Sequence, residues 1–202
     1  SLATWLLPAL AQVPDVAFDL RRVDSERAVD LLLNGVVMAA ITSSPDAVQG
    51  CSATPLGRMR YVPVATPQFV DRWFADGLTP SSLGAAPTIS YDRDDDLQDV
   101  ILRARRRGAR VTLPPRHFVP GSHDFVEAVR LGMGWGMVPE LQAAPLVAGG
   151  EFVVIAPDAV VDVALYLQQW RLRSDVLDRV GVVLRDAAAT ALRPIGRKRR
   201  GG

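Results

Sequence analysis

The segment from Phe118 to Glu140 contains the residues of this sequence that are best suited to hold a small anion. Pro120-Gly121 ends a predicted strand, and Ser122 is a predicted N-cap with His123 directly after it. The first turn of a helix leaves backbone N–H groups unpaired and carries the positive end of the helix dipole. The segment therefore predicts a binding place for a carboxylate or a phosphate.

Catalytic interpretations of the same residues fail on geometry or spacing. Ser122-His123-Asp124 contains the residue types of a hydrolase triad, but consecutive helix residues point about 100° apart and cannot form a relay with one another. His117, His123 and Cys51 lack the spacing of metal ligands. The glycine-rich run 132–136 follows a helix and precedes a strand, which reverses the dinucleotide-binding order. No enzymatic activity, metal site or cofactor is predicted.

Helices and strands alternate along the predicted chain. The predicted helices span residues 2–12, 24–33, 66–73, 97–107, 122–131 and 174–192. The predicted strands span residues 16–23, 36–41, 52–58, 60–65, 88–91, 117–119, 135–138, 152–155 and 161–170. The apolar run 36–41 is typical of a strand buried in a parallel sheet, and Pro63 suits an edge or crossing strand. Residues 78–87 are predicted to form a turn-rich connection. The pattern predicts an α/β protein with βαβ units in two lobes.

Composition indicates a globular chain. The sequence has 202 residues, is 49% hydrophobic and carries a formal net charge of +1, which gives no bulk attraction to nucleic acid or to a membrane. One cysteine excludes an internal disulfide framework, and no apolar run reaches the length of a membrane span. Without a signal-peptide pattern, the sequence predicts a cytoplasmic protein. The basic tail, residues 193–202, is expected to be disordered, with phosphate contact as the alternative.

Several segments together resemble the effector-binding domain of LysR-type transcriptional regulators. They run along nearly the whole chain in the family's order and are SLATWLLPAL, YVPVATP, SYDRDDDLQ, FVPGSHDFVEAVRLGMGWGMVPEL and LYLQQWRLRSDVLDRV. More narrowly, they are similar to the branch that responds to lysine and arginine and controls the export of basic amino acids.

The resemblance implies a fold like that of type 2 periplasmic binding proteins, with two α/β lobes, two crossing strands and an effector in the cleft. It assigns residues 1–64 and 171–192 to lobe I and residues 65–170 to lobe II, with crossings near Ala65 and Trp170. Family members also carry a winged helix-turn-helix, a linker helix and a first strand before the point where this sequence begins. We therefore expect effector sensing without operator binding, DNA being bound only through that N-terminal domain, and a first-lobe sheet of uncertain completeness.

A basic amino acid as effector requires donors for its carboxylate, acceptors for its ammonium group and acids for its side chain. Donors are expected from Ser1, Thr4, Ser122 and His123. Acids are expected from the run Asp92, Asp94, Asp95 and Asp96, with Asp92 facing the ligand. The alternative is that Asp94 to Asp96 only favour the start of the next helix. Thr42, Ser43 and Trp135 complete the expected ligand-binding set.

The first helix suggests self-association. The resemblance implies a two-fold homodimer, and possibly a tetramer of the intact regulator, with Leu2, Trp5, Leu6 and Ala9 at the interface. The ordinary alternative is that this apolar stripe belongs to the core. Two other functions stay open from the sequence: the solute-binding component of an amino acid transporter, which shares the fold, and a ligand-independent oligomerisation module.

Overall fold

The computed structural model describes residues 2–23, 25–106 and 113–195. The chain divides into two compact units: unit 1 comprises Ser1–Met59 and Asp162–Gly202, and unit 2 comprises Arg60–Val161. Two long strands, Cys51–Ala65 and Val161–Trp170, each run from one unit into the other. The predicted α/β class with two crossing strands is therefore confirmed. The predicted lobe boundaries, after residues 64 and 170, fall later in the chain than this division and stay a prediction.

Unit 1 combines a small antiparallel sheet with helices. Numbered along the whole chain, its elements are α1 (Leu2–Leu10), α2 (Ser25–Leu33), β1 (Ala39–Thr42), the first part of β2 (Cys51–Ala65), most of β7 (Val161–Trp170) and α8 (Asp175–Ala191). The strand order is β1-β7-β2. Helix α1 packs against α8, and the predicted N-cap Ser174 accepts a 3.4 Å hydrogen bond from Leu177 N.

Unit 2 is a mixed sheet with helices on both faces. Its elements are the rest of β2, α3 (Pro67–Trp73), α4 (Pro80–Ala85), β3 (Thr88–Ser90), α5 (Leu97–Arg106), β4 (Arg116–Phe118), α6 (Ser122–Arg130), β5 (Trp135–Pro139), α7 (Glu140–Ala148) and β6 (Val153–Val154). The strand order is β2-β5-β3-β4, and β6 pairs with β2. Because side chains alternate along β5, Trp135 and Met137 join one core with α5, whereas Val138 joins the other with α6.

Two strand predictions in unit 1 are wrong. Residues 16–23 alternate between polar and apolar side chains but form no strand, and Phe18, Leu20 and Val23 are exposed. Strand β1 pairs antiparallel with β7 instead of lying in a parallel sheet. Its neighbour in the strand order is β7 alone, so among the described strands its other edge has no partner. Alternation shows that a segment could be a strand, but pairing also requires a neighbouring backbone.

The remaining differences concern proline and short helices. The predicted strands 52–58 and 60–65 form one strand, β2, in which Pro63 lies opposite Met137 of β5. The sequence predicts a turn-rich connection where helix α4 forms, because α4 begins with proline and contains glycine. It predicts no helix at α7, because α7 contains Pro145. Among the described helices, none is both long and apolar enough to cross a membrane.

Candidate functional site

The carboxyl ends of β3, β4 and β5 lie at one edge of the unit 2 sheet. Strand β3 runs parallel to both neighbours, with Ser90 opposite Phe118 and Ile89 opposite Gly136. Helices α5, α6 and α7 begin directly after these strands, so their N-termini lie at this same edge. We call the residues that join each strand to its helix, 91–96, 119–124 and Glu140, the carboxyl edge. Ligands of open α/β sheets bind at such edges.

Helix α6 packs closely on strand β5 through the contact between Phe125 and Gly136. Phe125 is buried, and a Cβ atom placed on Gly136 would lie only 2.7 Å from two atoms of its ring. Only glycine allows this approach without a shift of the ring. Gly121, directly before the helix, has φ 103°. Its carbonyl accepts the first helical hydrogen bond, from Phe125 N at 2.9 Å. The start of α6 is therefore fixed to the sheet.

The N-cap of α6 differs from the prediction. Gly121 occupies the cap without a side-chain hydrogen bond, and Ser122 is the first helical residue, half-buried. The positive φ of the cap explains the shift, because glycine adopts it without steric cost. His123 is exposed, and Asp124 folds back towards Gly121. Ser122 and His123 thus lie at the carboxyl edge, but Ser122 does not act as the cap.

The acidic run is held by its own backbone. Asp92 Oδ1 accepts hydrogen bonds from Asp94 N and Asp95 N, both at 2.9 Å. Asp95 accepts three: from Tyr91 N at 2.8 Å, Leu97 N at 3.2 Å and Gln98 Nε2 at 3.3 Å. The helix-start alternative therefore describes Asp95 well. Asp92 is half-buried and fixed in a turn, with its carboxylate at the carboxyl edge.

Three residues at this edge were not singled out from the sequence. Tyr61 lies opposite Pro139, and burial together with the negative charge of Asp95 raises the pKa of its phenol. Gln98 is fully buried and donates to Ile89 O at 2.6 Å. Ser90 is also fully buried, and its hydroxyl has no hydrogen-bond partner among the described residues. A tyrosine in a strand and a glutamine in a helix carry no sequence signal for such positions.

Carboxylates outnumber cations along the carboxyl edge. The acids are Asp92, Asp94, Asp95, Asp96, Asp124 and Glu140, and the basic residues are Arg93 and His123. Arg93 stacks on Phe118, with its guanidinium carbon 4.8 Å from the ring centroid. Backbone N–H groups at helix starts attract a single carboxylate, but the surrounding negative charge opposes a phosphate. The edge is suited to a ligand that carries one carboxylate and an excess of positive charge.

The other predicted ligand residues belong to unit 1. Thr42 is buried at the end of β1, where its hydroxyl donates to Ser44 O at 3.4 Å and accepts from Gln168 Nε2 at 3.2 Å. Ser43, the next residue, is exposed. Thr4 is exposed on α1, and Ser1 lies outside the described residues. Of the hydroxyl pair 42–43, Ser43 is therefore the one that has surface to offer to a ligand.

Some predicted residues lie in the core. Trp135 has an exposure of 0%, so its side chain has no surface for a ligand, and we leave it out of the site. Trp5, Leu6 and Ala9 are buried within unit 1, which agrees with the alternative that the apolar stripe of this helix belongs to the core. The side chain of Leu2 lies outside the described part of the chain. Among the side chains of α1 that the structure describes, Leu7, at 45%, and Pro8 are exposed and apolar.

Two open cavities lie away from these residues. One, of about 380 Å³ in unit 1, is bordered by Val13, which follows α1, and by Arg179 and Val182 of α8. The other, of about 430 Å³ in unit 2, is bordered by α3, β6 and Arg105. Neither is lined by a residue of the carboxyl edge.

Comparison with known proteins identifies relatives along the whole chain. Residues 1–189 match the family model described as the LysR substrate-binding domain. The HTH-type transcriptional regulator LysG of Mycobacterium tuberculosis is 42% identical over 202 residues, which are 100% of this chain and 66% of that protein. The lysine export transcriptional regulatory protein LysG of Corynebacterium efficiens is 42% identical over 96% of this chain and 66% of its own length.

A solved structure agrees with these relatives. Full-length LysG of Corynebacterium glutamicum, with its effector Arg bound, is 34% identical and superposes with a TM-score of 0.85, covering 96% of this chain and 66% of that one. The chain thus spans about two thirds of the length of the relatives it matches. The regulatory domains among these neighbours have the two-lobed, periplasmic-binding-protein-like fold that the sequence predicted.

Proposed function

The chain belongs to the LysR-type transcriptional regulators, of which it is the effector-binding domain, and we propose that its effector is a basic amino acid, arginine or lysine. The arginine bound to the Corynebacterium glutamicum relative supports this class of ligand. In the intact protein, which would act in the cytoplasm, effector binding would control transcription. The simplest target is the gene of an amino acid exporter, and DNA would be bound by a part outside this chain. The lysine export regulator among the relatives supports the exporter.

The carboxyl edge of unit 2 is the observation that carries the proposal. The fixed start of α6 offers backbone N–H groups for the effector's carboxylate, with Ser122 and His123 beside them. The acids of the edge, led by Asp92, would bind the cationic side chain. A neutral amino acid would gain the first interaction but not the second. Discrimination between cationic and neutral amino acids is therefore the property to test.

Calorimetric titration of this chain with arginine, lysine and leucine tests the proposal. We expect saturable binding of the two cationic amino acids and binding of leucine that is weaker by about tenfold or more, the equivalent of one charged hydrogen bond. Equal affinity for all three would contradict the acidic side-chain site. Absence of any binding by the wild-type protein would contradict the proposed effector class.

Asp92→Asn separates the charge of Asp92 from its turn. The amide oxygen can still accept the hydrogen bonds from residues 94 and 95, so the loop should persist while the charge is lost. We expect arginine and lysine to bind about tenfold more weakly and leucine to be unaffected. Asp71→Asn, an exposed acid on α3, is the matched control and should change nothing. Identical titrations for the two variants would remove Asp92 from the site.

We also propose that the domain forms a two-fold dimer through the outer face of α1. Trp5, Leu6 and Ala9 are engaged within unit 1, so the proposed contact with a second copy uses the exposed face of α1, on which Leu7 is a large apolar side chain. Leu7→Glu should weaken dimerisation by about tenfold or more in sedimentation experiments, because a charge would be buried in an apolar contact. Leu172→Glu, at an exposed leucine outside any helix, is the control. A wild-type monomer at micromolar concentration would end the dimer proposal.

A further inference from the structure

One fully buried polar side chain organises the loop that follows β1. Gln168 lies on β7 with an exposure of 0%, and both ends of its amide are used. Its oxygen accepts from Val48 N at 2.8 Å, and its nitrogen donates to Asp46 O at 2.9 Å, to Thr42 Oγ1 at 3.2 Å and to Ser44 O at 3.5 Å. The hydrogen-bond partners of the Gln168 side chain therefore all lie within residues 42–48, the last residue of β1 and the loop after it.

The chemistry of this position is restrictive. The side chain must accept from a backbone N–H and donate to backbone carbonyls at once, and an uncharged amide does both. Burying an amide costs free energy unless its hydrogen bonds are made, so Gln168 and the loop hold each other in a single arrangement. Beyond these bonds, the loop is tied internally by Asp46 N donating to Ser44 Oγ at 3.2 Å. Without the amide of Gln168, Asp46 O would lose this donor and Val48 N would lose this acceptor, while Ser44 O would keep the hydroxyl of Thr42 as a donor.

The outer side of the loop faces solvent. Ser43, Pro45, Asp46 and Ala47 are exposed, while the residues at its two ends, Thr42 and Val48, are buried. A loop whose two ends are buried and hydrogen-bonded, and whose middle is exposed to solvent, is ordered before any ligand binds. Preorganisation of this sort raises affinity because the ordering cost is not paid on binding.

We propose that Gln168 is a positioning residue, which acts by holding Ser43 and its neighbouring backbone in the geometry that contacts the effector. The inference rests on the proposed function. Gln168 itself does not touch the ligand, since it has no exposed surface. A purely structural role would lower the stability of unit 1 and leave the effector affinity of the folded protein unchanged. The two roles therefore differ in affinity, which can be measured on folded protein.

The test uses Gln168→Met, which keeps the length of the side chain and removes its hydrogen bonds. Gln169→Met is the matched control, because Gln169 is the next residue on the same strand, and its hydrogen bond from Ser52 goes to the backbone oxygen, which the substitution keeps. In the ligand-free Gln168→Met protein, we expect the Val48 amide to exchange about tenfold faster than in wild type. Arginine should bind that variant about tenfold more weakly, at a temperature where both variants are folded.

Hydrogen exchange of the wild-type protein gives a second measurement that needs no variant. Adding arginine should slow the exchange of amides between residues 43 and 47. Arginine binding without such protection, or equal arginine affinity of the Gln168→Met and Gln169→Met proteins, would overturn the inference while leaving the proposed function intact. If wild-type protein binds no basic amino acid, the proposed function fails and the effector contact with it. An unchanged exchange rate of Val48 in Gln168→Met would overturn the positioning role by itself.

Discussion

Phe125→Ala is expected to lower the free energy of unfolding by about 3–5 kcal/mol and to abolish measurable arginine binding. The ring fills the space over Gly136 and joins α6 to β5, so its removal opens a cavity under the helix whose first turn is the proposed carboxylate site. The helix start would lose its fixed position along with the packing. Urea unfolding measures the stability, and calorimetry of the folded variant measures arginine binding.

Leu131→Ala is the control for this prediction, because Leu131 lies at the end of the same helix but is 70% exposed. It should change the stability by less than about 0.5 kcal/mol. Gly136→Ala approaches the same contact from the other side, since its added methyl group would meet the Phe125 ring, and we expect a loss of about 1–3 kcal/mol. Equal effects of Phe125→Ala and Leu131→Ala on stability would mean that the contact between Phe125 and Gly136 is not what holds α6 on β5.

Asp95→Ala is expected to cost about 3 kcal/mol of stability. The substitution removes a charged acceptor from the backbone N–H groups of Tyr91 and Leu97 and from the buried amide of Gln98. The two backbone donors would lose this partner, while Gln98 would keep its hydrogen bond to Ile89 O. The loop 91–96 would then loosen, and with it the position of Asp92. Equilibrium unfolding in urea gives the loss, and the arginine titration should weaken in parallel.

Asp94→Ala provides the comparison, because Asp94 belongs to the same acidic run but is exposed, and the bond described for it is donated by its backbone. We expect a change within about 0.5 kcal/mol. Asp95→Asn should fall between the two, since the amide keeps one acceptor oxygen. Equal losses at residues 94 and 95 would mean that the charge of the run matters to stability more than the hydrogen bonds of Asp95.

Local signals predicted much of unit 2. Helix α6 has apolar residues at helical spacing and ends at Arg130, shortly before Gly132, whose φ of 74° suits glycine, so its existence was predicted correctly and its end to within one residue. Its cap was predicted wrongly, because Ser122 and Gly121 are both acceptable cap residues and only the path of the preceding chain decides between them. The alternation of strands and helices was enough to place Ser122 and Asp92 at one sheet edge.

The parts that could not be predicted depend on contacts distant in sequence. Gln168 and Gln98 are fully buried, yet a glutamine in a strand or helix is ordinarily an exposed residue. Their partners, such as Val48, lie far away along the chain, and no spacing rule connects them. Trp135 shows the converse, because an aromatic residue beside a predicted site can equally be a core residue. Burial, which the sequence does not record, decides between the two.

The segment 16–23, which forms no strand, has a practical consequence for handling this chain. Phe18, Leu20 and Val23 present exposed apolar surface, and among the described strands β1 has no partner at its outer edge. Such features invite non-native association between chains, which grows with concentration and has no fixed stoichiometry. Association that persists in the Leu7→Glu variant and disappears when Phe18 and Leu20 are replaced by polar residues would be non-native association of this type. Storage conditions and sample history would then govern it more than the biology of the regulator.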